Sequence, residues 1–189
     1  PLQSGDDKIL GLMRRRYRRS VYQQRVERIK DVMPAACIGS DVIVGFPGET
    51  SQHFENTVAF IESVPVSYLH AFTYSERPNT LASDELSTRL SSVPKHERNR
   101  RNRVIRSLSE KKLKEFYRQN LGTSRLVLWE SSENDRTSGT ISGYTDNYIR
   151  VRKVADGAVR GQIESVTLNT LGETGCVEVS SEFDLPVIR

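Results

Sequence analysis

One ten-residue stretch of the sequence has the residue types and spacing of a ligand-binding loop. In residues 41–50 (DVIVGFPGET) a short apolar run ends at Gly45, and an aromatic ring, a proline, a second glycine, a carboxylate and a hydroxyl follow. Glycine lets a backbone approach a ligand closely. A helical pattern with Phe54, Val58 and Ile61 on one stripe begins directly afterwards. The stretch therefore predicts a strand, a tight loop and a helix, and loops at the carboxyl end of a strand bind the ligands of α/β proteins. An ordinary strand-to-helix turn has the same pattern.

Two more polar loops have similar chemistry. Residues 3–5 (QSG) precede a helical pattern, and Ser75, Arg77 and Thr80 follow a predicted strand. The first loop could contact a ligand or could simply cap a helix through Ser4 or Asp6. The arginine of the second could pair with a carboxylate or a phosphate, or the segment could be a polar turn around its proline.

The surrounding patterns predict the elements that position these loops. Helices are expected with Ile9, Met13 and Tyr17 on one face, then from a cap at Ser20 to a stop before Pro34. Strands are predicted at 37–46 and 66–74, helices at 51–63 and 95–118, and a polar connection at 75–93. Helices that alternate with strands indicate an α/β fold with a parallel sheet. Two strands are too few for an independent sheet, so another segment must complete it.

The chain changes character after residue 118. Short alternating runs separated by turn signals predict a small all-β antiparallel barrel of about five strands. Residues 1–118 hold 21 Lys+Arg against 14 Asp+Glu, a net charge of +7, whereas residues 119–189 hold 7 against 10, a net charge of −3. This change of sign supports two domains, 1–118 and 119–189, and assigns the surface that attracts polyanions mainly to the first.

Composition excludes several classes of protein. No apolar run approaches the length of a membrane span, so no membrane partner is expected. The two cysteines, Cys37 and Cys176, have no partners at metal-ligand spacing, which predicts no metal site and favours reduced thiols in a cytoplasmic protein. The start at Pro1, with no initiator methionine and no leader pattern, favours a chain that begins in the middle of a longer protein.

Four motifs together resemble a known family. They are residues 1–5 (PLQSG), Leu10 with residues 13–17 (MRRRY), residues 41–50, and residues 74–75 (YS) followed by Arg77-Pro78 and Thr80. In this order they are similar to the methylthiotransferases, radical S-adenosylmethionine enzymes that add a methylthio group to RNA bases or to a ribosomal protein. The resemblance implies that residues 1–118 are the second half of a TIM-like radical barrel. More weakly, residues 119–189 resemble the family's RNA-binding TRAM barrel.

The resemblance also implies a cofactor and the residues that bind it. S-adenosylmethionine is expected at the rim of the sheet, and no catalytic acid or base is expected within this chain. The family's Cys-x-x-x-Cys-x-x-Cys motif for a 4Fe–4S cluster is absent, so cluster ligands would lie outside this chain and the chain alone is expected to be inactive. The implied cofactor-binding residues are Gln3, Ser4, Gly5, Asp41, Gly45, Phe46, Pro47, Gly48, Glu49, Ser75 and Arg77.

The expected function is methylthiolation of a hypermodified adenosine beside the tRNA anticodon. Within the family, the motif at residues 13–17 favours the threonylcarbamoyladenosine branch. Two alternatives stay open: a ribosomal-protein methylthiotransferase, which the acidic second domain would suit, and a non-enzymatic RNA-binding protein. Three groups could contact RNA or could be ordinary surface and core residues: the arginines at 14–16 and 18–19, the helix 95–118, and an aromatic and basic set in the barrel. That set is Trp129, Tyr144, Tyr148, Arg150, Arg152 and Lys153. The oligomeric state is left open, although unpaired strand edges make dimerisation a reasonable expectation.

Overall fold

The computed structural model describes residues 1–78, 80, 89–130, 139–155, 160–173 and 175–181. Parts of the predicted 75–93 connection lie outside these residues. The chain divides into two compact units, Pro1–Leu113 and Lys114–Arg189, which are treated separately below. The division falls within one long helix, and the boundary predicted after residue 118 lies near the end of that same helix. No helix in the described part of the chain is long and apolar enough to cross a membrane.

The described elements of the first unit alternate between helices and strands. They are α1 (Asp7–Leu12), α2 (Arg19–Val32), β1 (Gly39–Val44), α3 (Ser51–Ser63), β2 (Tyr68–Thr73) and α4 (Lys95–Asn120), the last of which continues into the second unit. The α/β prediction is confirmed at this level, and the half-barrel stays a prediction.

Two details of the predicted helices are wrong. Asp6 caps α1 by accepting hydrogen bonds from the amides of Lys8 and Ile9, but α1 ends at Leu12 because Arg14 takes a φ of 54°, which a right-handed helix cannot continue. Met13 and Tyr17 therefore lie beyond it. Ser20 does not cap α2, since the helix begins one residue earlier and Arg18 is its N-cap.

The strands β1 and β2 pair in parallel, with Gly39 opposite Tyr68 and Val44 opposite Thr73. On the other side of β1, Gln3 extends the sheet by one residue. Its amide donates to the Asp41 carbonyl at 2.8 Å, and its carbonyl accepts from the Ile43 amide at 2.9 Å. This parallel bridge brings residues 3–5 to the strand that leads into the glycine loop.

One face of the sheet carries the core of the unit. Val42, Val44 and Leu69 are buried on this face. They belong to one apolar cluster with the inward residues of α3 and α4, which include Phe54, Phe60, Ile61, Ile105 and Leu108. On the opposite face, Phe72 has half of its surface (52%) exposed.

A serine covers part of the outer edge of β2. The Ser109 hydroxyl of α4 accepts a hydrogen bond from the Leu69 amide at 2.8 Å and donates to the Leu69 carbonyl at 3.0 Å. Exposed strand edges promote unwanted pairing, so this contact satisfies the edge locally without another strand.

The second unit is a closed barrel of five strands. They are β3 (Ser124–Glu130), β4 (Thr140–Thr145), β5 (Arg150–Val154), β6 (Ile163–Leu171) and β7 (Val177–Ser181), in the spatial order β3-β4-β5-β7-β6. The prediction of a small barrel is confirmed, but the prediction that it is wholly antiparallel is wrong, because β5 and β7 run parallel. Directions cannot alternate all the way round a ring with an odd number of strands, so closure of five requires a parallel pair.

Candidate functional site

The loops after β1 and β2 emerge at the same end of the sheet. The two strands are parallel and in register to their last residues, and the Tyr74 amide donates to the Val44 carbonyl at 2.8 Å. A cavity of about 770 Å³ opens there. Its lining residues are Gln3, Gly11, Leu12, Met13, Arg14, Arg15, Ile43, Phe46, Phe72, Thr73, Tyr74, Ser75, Arg77 and Thr80.

The loop after β1 depends on glycine at two positions. Gly45 and Gly48 have φ values of 78° and 83°, in the left-handed region that other residues occupy at a cost. The Gly45 amide donates to the Glu49 carboxylate at 3.1 Å, which closes the loop on itself. Thr50 then caps α3 in a reciprocal arrangement with His53. The result is a short rigid loop that carries Phe46 on the cavity wall.

Glu49 is part of the support of this loop. Its side chain is 3% exposed and accepts a hydrogen bond from Arg101 of α4 at 2.6 Å. Burial raises the pKa of the Glu49 carboxyl, and the hydrogen bonds from Arg101 and from the Gly45 amide oppose that rise. A second acidic residue, Glu97, accepts from the Nε of Arg101 at 2.8 Å. Glu49 therefore ties the loop to α4 and is not part of the cavity lining.

Residues 3–5 divide between the cavity and the support. Gln3 lines the cavity with a φ of 66°. Ser4 and Gly5 contact α3 instead: the hydroxyls of Ser4 and Thr57 lie 3.2 Å apart, and the Gly5 amide donates to the same Thr57 oxygen at 3.2 Å. A Cβ on Gly5 would lie 2.8 Å from the Thr57 Cα, so glycine is needed here for close packing.

The eleven predicted binding residues thus fall into two groups. Gln3, Phe46, Ser75 and Arg77 line the cavity. The other seven are not among its lining residues and lie within or beside the loops that shape it: Ser4, Gly5, Asp41, Gly45, Pro47, Gly48 and Glu49. The structure brings all three predicted loops to one rim, but only part of each loop faces the cavity.

Sequence reasoning missed two apolar residues of the site, Ile43 and Phe72, which form a wall of the cavity. Arg14 and Arg15, which belong to the arginine run considered for RNA contact, line the cavity from the turn after α1. Alternation along β1 and β2 could have identified the two apolar residues. The sequence did not distinguish the buried arginines Arg98 and Arg101 from the other charged residues of the same helix.

The candidate RNA-contacting residues of the barrel differ in how exposed they are and in how they are bound. Trp129 is 1% exposed, and its indole N–H donates to Glu164 at 2.7 Å while the Lys153 ammonium lies 4.9 Å from the ring centroid. Arg152 is bound to Glu178. Trp129 is therefore core, and these two cations are engaged within the barrel.

Other aromatic residues of the barrel form an exposed patch. Ile163, Leu128, Tyr144 and Arg150 lie opposite one another in successive strand pairs, and the Arg150 guanidinium lies 5.9 Å from the Tyr144 ring centroid. Tyr148 is 72% exposed with a φ of 63°, and its ring centroid lies 6.5 Å from that of Tyr144. A bulky residue at positive φ stores strain, which often marks a functional position.

The chain is similar to curated proteins whose names describe the modification of adenosines in tRNA. The chain is 40% identical over 152 residues to a threonylcarbamoyladenosine tRNA methylthiotransferase of Aquifex aeolicus. The matched residues are 80% of this chain and 34% of the relative. The chain is 36% identical over 171 residues to a tRNA-2-methylthio-N(6)-dimethylallyladenosine synthase of Wolinella succinogenes, covering 89% of the chain and 37% of the relative. A synthase of the same name from Symbiobacterium thermophilum is 34% identical over 177 residues, with coverage of 91% and 36%. The chain therefore spans about a third of the length of these curated relatives. No protein-family model matches it.

Proposed function

We propose that this chain forms part of the S-adenosylmethionine site of a tRNA methylthiotransferase. The chain belongs to that family and corresponds to about a third of the length of its relatives. The observation that carries the proposal is the convergence of three loops on one cavity at the carboxyl end of a parallel sheet. Ligands of α/β proteins bind at this end of the strands.

The lining of the cavity suits the two ends of S-adenosylmethionine. Phe46, with Ile43 and Phe72, offers an apolar wall to the adenine, and Arg77 can pair with the methionyl carboxylate. Gln3 and Ser75 add polar groups that can hydrogen-bond to the ribose. When bound, this cofactor supplies the radical and the methyl group of the reaction, as the family resemblance implies. The chain's own residues bind and orient it.

The residues of this chain do not fit the 4Fe–4S cluster of the family. Such clusters are held by cysteine thiolates, and the sequence contains two cysteines. Cys37 lies in the first unit and Cys176 in the second, and the described residues contain no group of three or more potential ligands. The cluster ligands of the proposed enzyme therefore come from outside this chain.

The proposed substrate is a hypermodified adenosine beside the anticodon of a tRNA. The names of the relatives describe threonylcarbamoyladenosine and dimethylallyladenosine in tRNA, and residues 13–17 favour the first. Arg14 and Arg15 at the cavity can contact the phosphates of such a substrate. Tyr144 and Tyr148 in the barrel offer faces on which bases can stack.

A binding measurement tests the proposed cofactor site. Equilibrium dialysis with labelled S-adenosylmethionine is applied to the full-length protein and to its Arg77→Ala and Arg103→Ala variants. Because a hydrogen bond to a charged group contributes about 1.5–3 kcal/mol, loss of Arg77 should weaken binding roughly tenfold to a hundredfold. Arg103 is an exposed residue of α4 outside the cavity lining and serves as the matched control. Absence of binding by the parent, or equal affinities of the two variants, refutes the proposal.

A protein substrate is the second candidate. The net charge of −3 over residues 119–189 favours it, because RNA-binding modules are usually basic. Filter binding of the full-length protein to a tRNA anticodon stem-loop across a salt series distinguishes the two. Affinity that falls steeply with salt supports the RNA substrate, whereas no salt-sensitive binding supports the ribosomal-protein branch. RNA binding without any S-adenosylmethionine binding would instead favour the non-enzymatic RNA-binding protein.

A further inference from the structure

Two arginines of α4 are almost completely buried, which is unusual for this residue type. Arg98 is 8% exposed and Arg101 is 3% exposed, although α4 is strongly charged along its length. They lie three residues apart on the stripe that continues with Ile105 and Leu108 into the core. Each guanidinium must satisfy its donors within the protein, so their partners show what the helix holds in position.

The guanidinium of Arg98 reaches the loop after β2. Its Nε donates to the Val93 carbonyl at 2.6 Å, and its Nη1 donates to the Tyr74 carbonyl at 3.0 Å. Its Nη2 donates to the Glu76 carboxylate at 2.5 Å and to the Ser92 hydroxyl at 2.9 Å. The hydrogen bond from Arg98, and to a smaller extent the Arg98 charge, lowers the pKa of the Glu76 carboxyl.

The stem of the same arginine contacts the loop after β1. A Cβ placed on Gly45 would lie 2.3 Å from the Arg98 Cγ, so the aliphatic part of the side chain passes directly over that glycine. Tyr74 connects the two loops further, because its ring meets the Phe46 ring edge-on with centroids 5.2 Å apart. One side chain therefore touches both loops that form the cavity rim.

Glu76 lies between two residues that line the cavity. Its two neighbours Ser75 and Arg77 line the cavity, whereas Glu76 itself is bound to Arg98. Arg98 also holds the Tyr74 carbonyl, so its guanidinium binds the residues on both sides of Ser75. These two contacts fix the short segment that presents Ser75 and Arg77 to the cavity.

We propose that Arg98 and Glu76 are positioning residues that orient the loop after β2, and that the Glu76–Arg98 pair thereby sets the affinity of the cavity for its ligand. Neither residue is among those that line the cavity. The inference rests on the proposed function for the identity of that ligand, S-adenosylmethionine. The orientation of the loop itself is independent of it.

The test compares changes at two hydrogen-bond partners of Arg98. Glu76→Gln removes the charge that holds residues 74–78, while Ser92→Ala removes a partner that lies outside these residues and outside the cavity lining. Three quantities are measured on the full-length protein: the Kd for S-adenosylmethionine, deuterium uptake of a peptide covering residues 73–78, and the melting temperature. Glu76→Asp, which keeps the charge on a shorter side chain, serves as the conservative variant.

Glu76→Gln should raise the Kd about tenfold and speed deuterium uptake in residues 73–78, with Glu76→Asp intermediate. Ser92→Ala should leave both quantities at the parent value, even where its melting temperature falls as far as that of Glu76→Gln. A purely structural role predicts equal effects of Glu76→Gln and Ser92→Ala, and that result overturns the inference. Parental uptake in Glu76→Gln overturns it as well. A parent that binds no S-adenosylmethionine refutes the proposed function, and the deuterium data then still decide whether the pair orients the loop.

Discussion

Replacing Gly45 by alanine should destabilise the first unit through two separable effects. Gly45 has a φ of 78°, and a residue with a Cβ pays about 1–2 kcal/mol for this left-handed conformation. The new methyl group would also lie 2.3 Å from the Cγ and 2.9 Å from the Cδ of Arg98. Overpacking of this kind costs about 1–3 kcal/mol more. Arg98 cannot move away easily, because four hydrogen bonds hold its guanidinium.

Gly122 supplies a matched control for the backbone effect. Its φ is also 78°, but nothing lies within 4 Å of the Cβ that alanine would add. Gly122→Ala should therefore cost only the backbone term, about 1–2 kcal/mol. The difference between the two substitutions isolates the contact with Arg98, and we expect it to be about 1–3 kcal/mol.

Urea denaturation measures the two units with different probes. The sequence contains one tryptophan, Trp129, which reports on the barrel that follows Gly122. Far-UV circular dichroism follows the helices, of which α1, α2 and α3 lie in the first unit. If Gly45→Ala lowers the free energy of unfolding by no more than Gly122→Ala does, the close contact with Arg98 is not constraining and the argument is refuted.

Two further predictions concern the barrel patch and the ion pairs of α4. Tyr148→Gly relieves the strain of the positive φ and should stabilise the barrel by up to about 1 kcal/mol, as measured by Trp129 fluorescence during unfolding. The same change should lower the affinity for an anticodon stem-loop about tenfold, because one stacking face is lost. A stabilised variant with parental affinity would show that the ring does not stack on RNA. The hydrogen bonds from Arg100 and Arg101 lower the pKa of Glu97 from 4.5 to about 2, so they stabilise the folded state above pH 4.5, and this contribution disappears as the pH falls towards 2. Glu97→Gln should therefore lower the urea midpoint at neutral pH by an amount worth about 1 kcal/mol or less, since solvent screens the pair. Near pH 2 the variant and the parent should have the same midpoint. A difference that persists at that pH would show that the ion pair is not the source of the stabilisation.

Local patterns were sufficient for the elements around the cavity. The predicted helix 51–63 has the bounds that the structure gives to α3, and both strands of the first unit lie within their predicted ranges. These elements follow from the alternation of β1 and the helical stripe of α3, each of which is a property of neighbouring residues. The same reasoning failed at the end of α1, where the positive φ of Arg14 has no local signature comparable to a glycine.

The candidate site was predictable only in part. The glycine loop and the polar residues after β2 could be assigned to one rim, because parallel strands end at the same edge. The sequence could not predict which residues of each loop face the cavity and which support the loop. The stripe of Arg98, Arg101, Ile105 and Leu108 was present at helical spacing, but arginine at such a position usually predicts a solvated face. Burial of the two arginines becomes visible only when Glu49 and Glu76 are brought to them from other segments.

The sequence alone determined the alternating helices and strands, the family resemblance and the change to a small barrel, because periodicity, glycine positions and charge are encoded locally. Tertiary structure decided which side chains meet. Only the parallel register of β1 and β2 places Phe46 beside Tyr74, and only closure of an odd-stranded ring makes β5 and β7 parallel. Contacts between residues distant along the chain depend on how the elements pack, and no local pattern contains that information.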